Sequence, residues 1–193
     1  MSIAVSQSEN TVLPQSPSGW LKRYYGVRAL FSVVWVALAV TIGKAQPSIG
    51  AVLLVAYPLW DCLANYVDAA RNGGLRANPT QALNAAISVV VTLTVAVALG
   101  SRDVHPAIGV LGAWAILSGL FQLSTGVRRW RSAAAQWPQI LSGTQSCAGG
   151  THFVMQALDP TAAVSVATIA PYAAFGALYF AISAGVLAVK KPE

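Results

Sequence analysis

Residues 81–99 read QALNAAISVVVTLTVAVAL, an apolar run without a single charged side chain. A helix rises 1.5 Å per residue, so ~20 such residues cross a hydrocarbon core of ~30 Å. Five further blocks have the same character, near 26–43, 49–69, 106–127, 137–157 and 162–189. The breaks between them carry turn chemistry: Gly43-Lys44-Ala45-Gln46-Pro47, Arg71-Asn72-Gly73-Gly74, Gly100-Ser101-Arg102-Asp103, Arg128-Arg129-Trp130-Arg131 and Asp159-Pro160. The expected fold is therefore an all-α integral membrane protein with six transmembrane helices.

Composition agrees. Of 193 residues, 55% are hydrophobic and 9% charged, against roughly 25% charged in an average soluble domain. The formal charge of +6 sits in the breaks, where Lys and Arg act as topology signals. No basic groove with aromatic platforms accompanies it, so nucleic acid is not an expected partner. Cys62 and Cys147 lie inside apolar blocks and read as small packing residues. Residues 1–19 are polar and lack the basic start and apolar core of a signal peptide. They are expected to form a disordered cytoplasmic tail ahead of a membrane domain over 20–193.

Basic residues orient the chain. Lys22, Arg23 and Arg28 stand ahead of the first apolar helix, Arg71 and Arg76 follow the second, Arg128, Arg129 and Arg131 the fourth, and Lys190 and Lys191 the sixth. Only Lys44 and Arg102 fall on the other side. The rich side belongs in the cytoplasm. This implies a multi-pass membrane protein with both termini cytoplasmic.

A weak internal repeat runs through the chain. Trp20 and Gly26 are spaced as Trp137 and Gly143 are, with Asn78 and Asn84 halfway between. Pro47, Pro106 and Pro160 each stand at or near the start of a second helix, and Trp60-Asp61-Cys62-Leu63, Leu117-Ser118-Gly119-Leu120 and Ala174-Phe175-Gly176-Ala177 fall at equal steps. The pattern predicts three tandem helical hairpins, about 20–77, 78–135 and 136–193, arranged as parallel repeats about an axis along the membrane normal. Small residues four apart, Gly143, Cys147 and Thr151 on the fifth helix and Ala173, Ala177, Ala181 and Gly185 on the sixth, offer close helix packing.

The stretch Val110-Leu111-Gly112-Ala113-Trp114-Ala115-Ile116-Leu117-Ser118-Gly119-Leu120-Phe121-Gln122-Leu123, running into Arg128-Arg129, resembles the HdeD-like acid-resistance membrane proteins. So does Trp137-Pro138-Gln139-Ile140-Leu141-Ser142-Gly143. The resemblance covers nearly the whole chain apart from the tail. It implies six transmembrane helices in three hairpins and a bacterial inner-membrane protein linked to survival in acid. The chain departs from the pattern at Asp61-Cys62, opposite Ser118-Gly119, and at Asn84, where the flanking repeats have Gly26 and Gly143.

Asp61 stands out physically. It lies about two-thirds of the way along the second helix, where a carboxylate costs roughly 2.5–3.5 kcal/mol on insertion scales. Tyr57, Asp61, Asn65 and Asp68 share one helix face. Asn84, Ser88 and Thr92 form a polar row on the third helix, which runs the opposite way. The two rows are expected to face each other at matched depth, as a hydrogen-bonded seam or as a proton or polar relay through Asp61, Asn65, Asn84 and Ser88. With Arg28 read as a flanking charge, Asp61 is expected to have no cationic partner in the core.

At the other end, Asp103, His105, His152 and Asp159 form a candidate pH-responsive outer face, since histidine titrates near pH 6.5. Trp20, Tyr24, Tyr25, Trp130 and Trp137 read as interface anchors. No catalytic motif, cofactor motif or metal-ligand spacing is present in the sequence. The leading expectation is a non-enzymatic membrane protein of the HdeD-like type, linked to acid or envelope stress. The alternatives are a small proton-coupled transporter or channel using Asp61, and a membrane scaffold. Expected partners are the lipid bilayer, with anionic lipid at the basic face, and a second copy or other membrane proteins.

Overall fold

The computed structural model describes residues 17–101, 103–128 and 137–189. Most of the tail expected over 1–19, together with Arg102, Arg129, Trp130, Arg131, Lys190 and Lys191, lies outside the described residues. The described residues form six long helices: α1 (Pro17–Leu38, continued by a π turn, Ala39–Gly43), α2 (Pro47–Arg71), α3 (Pro79–Ala98), α4 (His105–Arg128), α5 (Trp137–Leu158) and α6 (Ala170–Val189, led in by a 3-10 turn, Val166–Ile169). The described residues contain no strand.

Helix ends follow local chemistry. Pro47 and Pro79 open α2 and α3, where the missing N–H costs nothing. Gly73 and Gly74 follow α2 at φ of 95° and 88°, a conformation that L side chains avoid. The Gly74 N–H reaches back to the Ala69 carbonyl at 2.8 Å. Ser165 and Thr168 cap the 3-10 turn reciprocally: each hydroxyl accepts from a backbone N–H of the turn.

Among the described residues, five helical segments are long and apolar enough to cross a membrane: Gly19–Gly43, Pro47–Arg71, Pro79–Ser101, His105–Ser124 and Val166–Val189. Their outward faces are apolar too. Leu30, Val52, Val90, Leu93 and Val97 are all more than 60% exposed, an arrangement suited to lipid rather than water. The helix α5 differs from the other five. It carries Ser142, Thr144, Gln145, Ser146, Thr151, His152 and Gln156, and part of that polarity faces the bundle interior.

Two corrections to the sequence reading concern ends and rows. The first helix begins at Pro17 rather than near 26, so Pro17–Gly19 are helix rather than tail. The small-residue rows are only partly used. On α5, Gly143 and Gly150 are buried while Thr151 is exposed; on α6, Ala173 and Ala177 are buried while Ala181 and Gly185 are exposed. Gly143 and Cys147 both meet α4 at Gly119, and the row then continues at Gly150 rather than Thr151, because two nearly antiparallel helices stay in register at about 3.5 residues per turn.

The closest packing joins α4 to α5, α1 to α6 and α2 to α3. Glycine explains the first. A Cβ on Gly119 would stand 2.6 Å from the Gly143 carbonyl oxygen, and one on Gly150 2.5 Å from the Gly112 carbonyl oxygen. The helices α1 and α2 are spaced by large side chains instead: the Phe31 and Trp60 rings stack at 4.4 Å, and Trp35 lies 4.8 Å from Tyr57.

The apolar core is one-sided along the helix axes. Trp35, Leu54, Val95, Ile108, Phe153, Val166 and Ile169 pack together. All of them lie in the half nearer Lys44, Asp103 and Asp159. The other half, toward Arg71 and Arg76, holds the polar site.

Candidate functional site

Asp61 projects from α2 ten residues before Arg71, about 15 Å along the axis. Its carboxylate is fully engaged. Oδ1 accepts from Arg28 Nη2 at 2.6 Å; Oδ2 accepts from Ser88 Oγ at 2.9 Å and from Asn65 Nδ2 at 3.0 Å. The side chains of Arg28 and Asp61 are only 14% and 22% exposed. This corrects the expectation that Asp61 has no cationic partner. Because α1 begins at Pro17, Arg28 lies eleven residues inside it, about 16 Å from its start.

The guanidinium is itself held on three sides. Nη1 donates to the Tyr24 hydroxyl at 2.9 Å, and the Phe180 ring lies 4.3 Å beneath its central carbon. Charge, hydrogen bond and ring face thus fix one geometry. A signal for this was present in the sequence. Arg28, Ser32, Trp35 and Ala39 follow the spacing of one helix face, and Ser32, Trp35 and Ala39 are buried.

The ion pair forms part of the wall of a cavity of about 350 Å³. The lining continues with Asn65, Asn84 and Ser88, then Ser118 and Gln122 on α4, and Ser142, Gln145 and Ser146 on α5. Tyr57, Trp114 and Tyr172 lie toward the apolar core and form its floor, while Thr80, near the start of α3, marks its other end. The cavity is thus a vestibule reaching from the end near Arg71 and Arg76 to mid-bundle. Arg28 and Asp61 are the only Asp, Glu, Lys, Arg or His in its described lining. Tyr179 donates to Gln145 Oε1 at 3.1 Å across the α5–α6 gap. Two buried polar atoms of lining residues have no hydrogen-bond partner: Arg28 Nε and Gln122 Oε1.

The structure therefore brings Asp61, Asn65, Asn84 and Ser88 to one cavity wall, with Ser88 directly on Asp61. Thr92, the far end of the α3 row, is buried away from the wall and donates to the Ser88 carbonyl at 2.6 Å. Asp68 turns instead to Asn72 and Gln81, which donate to it at 2.9 and 3.3 Å. Arg71 stacks over Trp20 at 4.8 Å.

At the opposite end, His105 joins two loops. Nδ1 lies 2.7 Å from Asp103 Oδ1 and Nε2 3.1 Å from the Ala162 carbonyl oxygen. Both facing atoms are acceptors, so the doubly protonated imidazolium alone satisfies both contacts. Asp103 is held below the usual carboxylate range by the His105 backbone N–H and by its ring. Asp159 is lowered likewise by the Thr161 hydroxyl and N–H, at 2.6 and 2.9 Å. His152 stands apart, exposed on α5 with its ring 6.2 Å from that of Phe153. Among the described residues, no three His, Cys, Asp or Glu side chains converge as metal ligands. No protein-family model, curated protein or solved structure matches the chain.

Proposed function

We propose that the chain is a small polytopic membrane protein of transporter or channel type, in which the vestibule binds a polar solute and Asp61 is the group that takes up and releases a proton. The observation that carries this reading is the placing of a hydrogen-bonded carboxylate–guanidinium pair on the wall of a membrane-depth cavity. Ionisable residues at such depth are costly and mark solute and proton paths. Protonating Asp61 would remove the counter-charge of Arg28 and change the net charge of the wall from zero to +1. Solute affinity and proton uptake would then be linked reciprocally.

On this reading all six helices span the membrane, α5 included, with the end near Arg71 and Arg76 in the cytoplasm of a bacterial cell. Two sets of residues at steps of 57 support an arrangement of three parallel repeats about a central axis: Asp61, Ser118 and Phe175, and Asn65, Gln122 and Tyr179. All six line the one cavity. The same reading keeps the HdeD-like resemblance and a non-enzymatic role in acid or envelope stress, with the bilayer as partner. The scaffold alternative loses its α5 row, since Gly143 and Gly150 are consumed by packing against α4, and keeps only the exposed Ala181 and Gly185 on α6.

The test is proton flux in proteoliposomes, wild type against Asp61→Asn. Flux that disappears in the variant supports the proposal. Equal flux in both, or none in either with both proteins folded, removes Asp61 as the proton-carrying group.

A further inference from the structure

The wall carries one positive and one negative group, and they already neutralise each other at 2.6 Å. An anionic solute has two ways to bind there. It can displace Asp61 from Arg28, stranding a buried carboxylate, or it can sit beside the pair as an uncompensated charge. A cation meets the mirror-image problem at Arg28. Both are unfavourable at a pair whose side chains are largely shielded from water. A solute of zero net charge avoids the penalty and leaves the pair intact.

The polar lining defines what such a solute should carry. Asn65, Asn84, Ser118, Gln122 and Gln145 bring amide and hydroxyl groups to the wall, which offer both donors and acceptors. The floor formed by Tyr57, Trp114 and Tyr172 suits a flat apolar body. The volume of about 350 Å³ falls at the small end of the ~300–1,000 Å³ range of ligand cavities.

We propose that the vestibule selects small, uncharged, flat solutes that carry both a hydrogen-bond donor and an acceptor, aromatic carboxamides being the simplest of the class. This rests on the reading of the cavity as a solute site and adds the charge and polarity of the solute.

The test uses three compounds of nearly one shape: benzamide, benzoate and benzamidinium, with charges of zero, minus one and plus one. Equilibrium binding of each labelled compound to the full chain in nanodiscs at neutral pH gives three dissociation constants. The expected result is benzamide binding at least about ten-fold more tightly than either ion. Gln122→Leu should weaken benzamide at least about five-fold, and Gln122→Met, closer in shape to Gln, serves if the leucine variant misfolds. Ser118→Trp, which fills the cavity, should abolish binding.

Tighter binding of either ion, sensitive to Ser118→Trp, would overturn the charge selection while leaving the cavity as a solute site. Binding that ignores Ser118→Trp would be partition into the apolar surface and would overturn the proposal, as would the absence of binding by all three. Proton flux is read separately, so the loss of one reading does not decide the other.

Discussion

Arg28 on α1 and Asp61 on α2 form a 2.6 Å ion pair between helices whose backbones are held apart by large side chains. Removing one member of such a pair leaves a buried charge without compensation, which typically costs about 3–5 kcal/mol. The two single variants should differ. Arg28→Met strands a carboxylate that keeps only Ser88 and Asn65. Asp61→Asn leaves the guanidinium with the Tyr24 hydroxyl, the Phe180 ring and an amide oxygen that still accepts from one of its donors. Unfolding in detergent should show Arg28→Met as the more destabilised, and Arg28→Met/Asp61→Leu should recover part of the loss. A double variant less stable than Arg28→Met alone would contradict this account of the pair.

The α4–α5 seam offers a steric prediction. Cβ atoms on Gly119, Gly143 and Gly150 would fall 2.5–2.8 Å from the backbone carbonyl oxygen of the facing helix. Backbone cannot yield as a side chain can. Gly150→Ala or Gly119→Ala should therefore force the helices apart and cost about 1–3 kcal/mol. Gly26→Ala meets nothing within 4 Å, and Gly149→Ala would contact only the Tyr172 ring at 3.5 Å. These two should leave the thermal midpoint nearly unchanged.

Helix number and the facing of two polar rows were legible in the sequence because both depend on local spacing. Residues 81–99 needed only length and composition. The meeting of Ser88 with Asp61 followed from counting depth along antiparallel helices. Arg28 was misplaced because a basic residue near the start of an apolar run looks like a topology signal. Where α1 starts decides whether it flanks or enters the bundle, and Pro17 is a weak marker of that start. The α4–α5 seam was legible only in part. The spacing of four places Gly143 and Cys147 on it, whereas the next close contact falls at Gly150 rather than Thr151. The cavity was not legible at all, since it arises from the alternation of close and wide helix pairs.

The far end should respond to pH in a defined direction. Asp103 and Asp159 are both lowered. Their contribution to stability is therefore present above the ordinary carboxylate value of ~3.9 and is lost only as pH falls through their lowered values. His105 needs protons on both nitrogens to satisfy Asp103 and Ala162, so its bridge is complete in acid and loses a bond once the ring becomes neutral. Between about pH 4 and 6 the loops should be tied more firmly than at pH 8. Hydrogen exchange at residues 159–162, corrected for intrinsic rates, should slow on acidification in the wild type. It should change little in His105→Phe, and faster corrected exchange in acid would refute the bridge.

Trp35 provides the last prediction. It is 2% exposed, and its indole N–H donates to the Leu53 carbonyl at 2.8 Å. That carbonyl lies next to Leu54, whose own helical partner would be the N–H that Pro58 lacks. The indole thus supports α2 beside the point where proline interrupts its ladder, on the boundary between core and vestibule floor. Trp35→Phe removes the donor and some volume together, and should cost about 2–4 kcal/mol. Trp60 stacks on Phe31 at 4.4 Å and is only partly buried, so Trp60→Phe should cost less than about 1.5 kcal/mol. Equal losses for the two variants in a detergent unfolding series would show that the Trp35 hydrogen bond contributes nothing beyond ring packing.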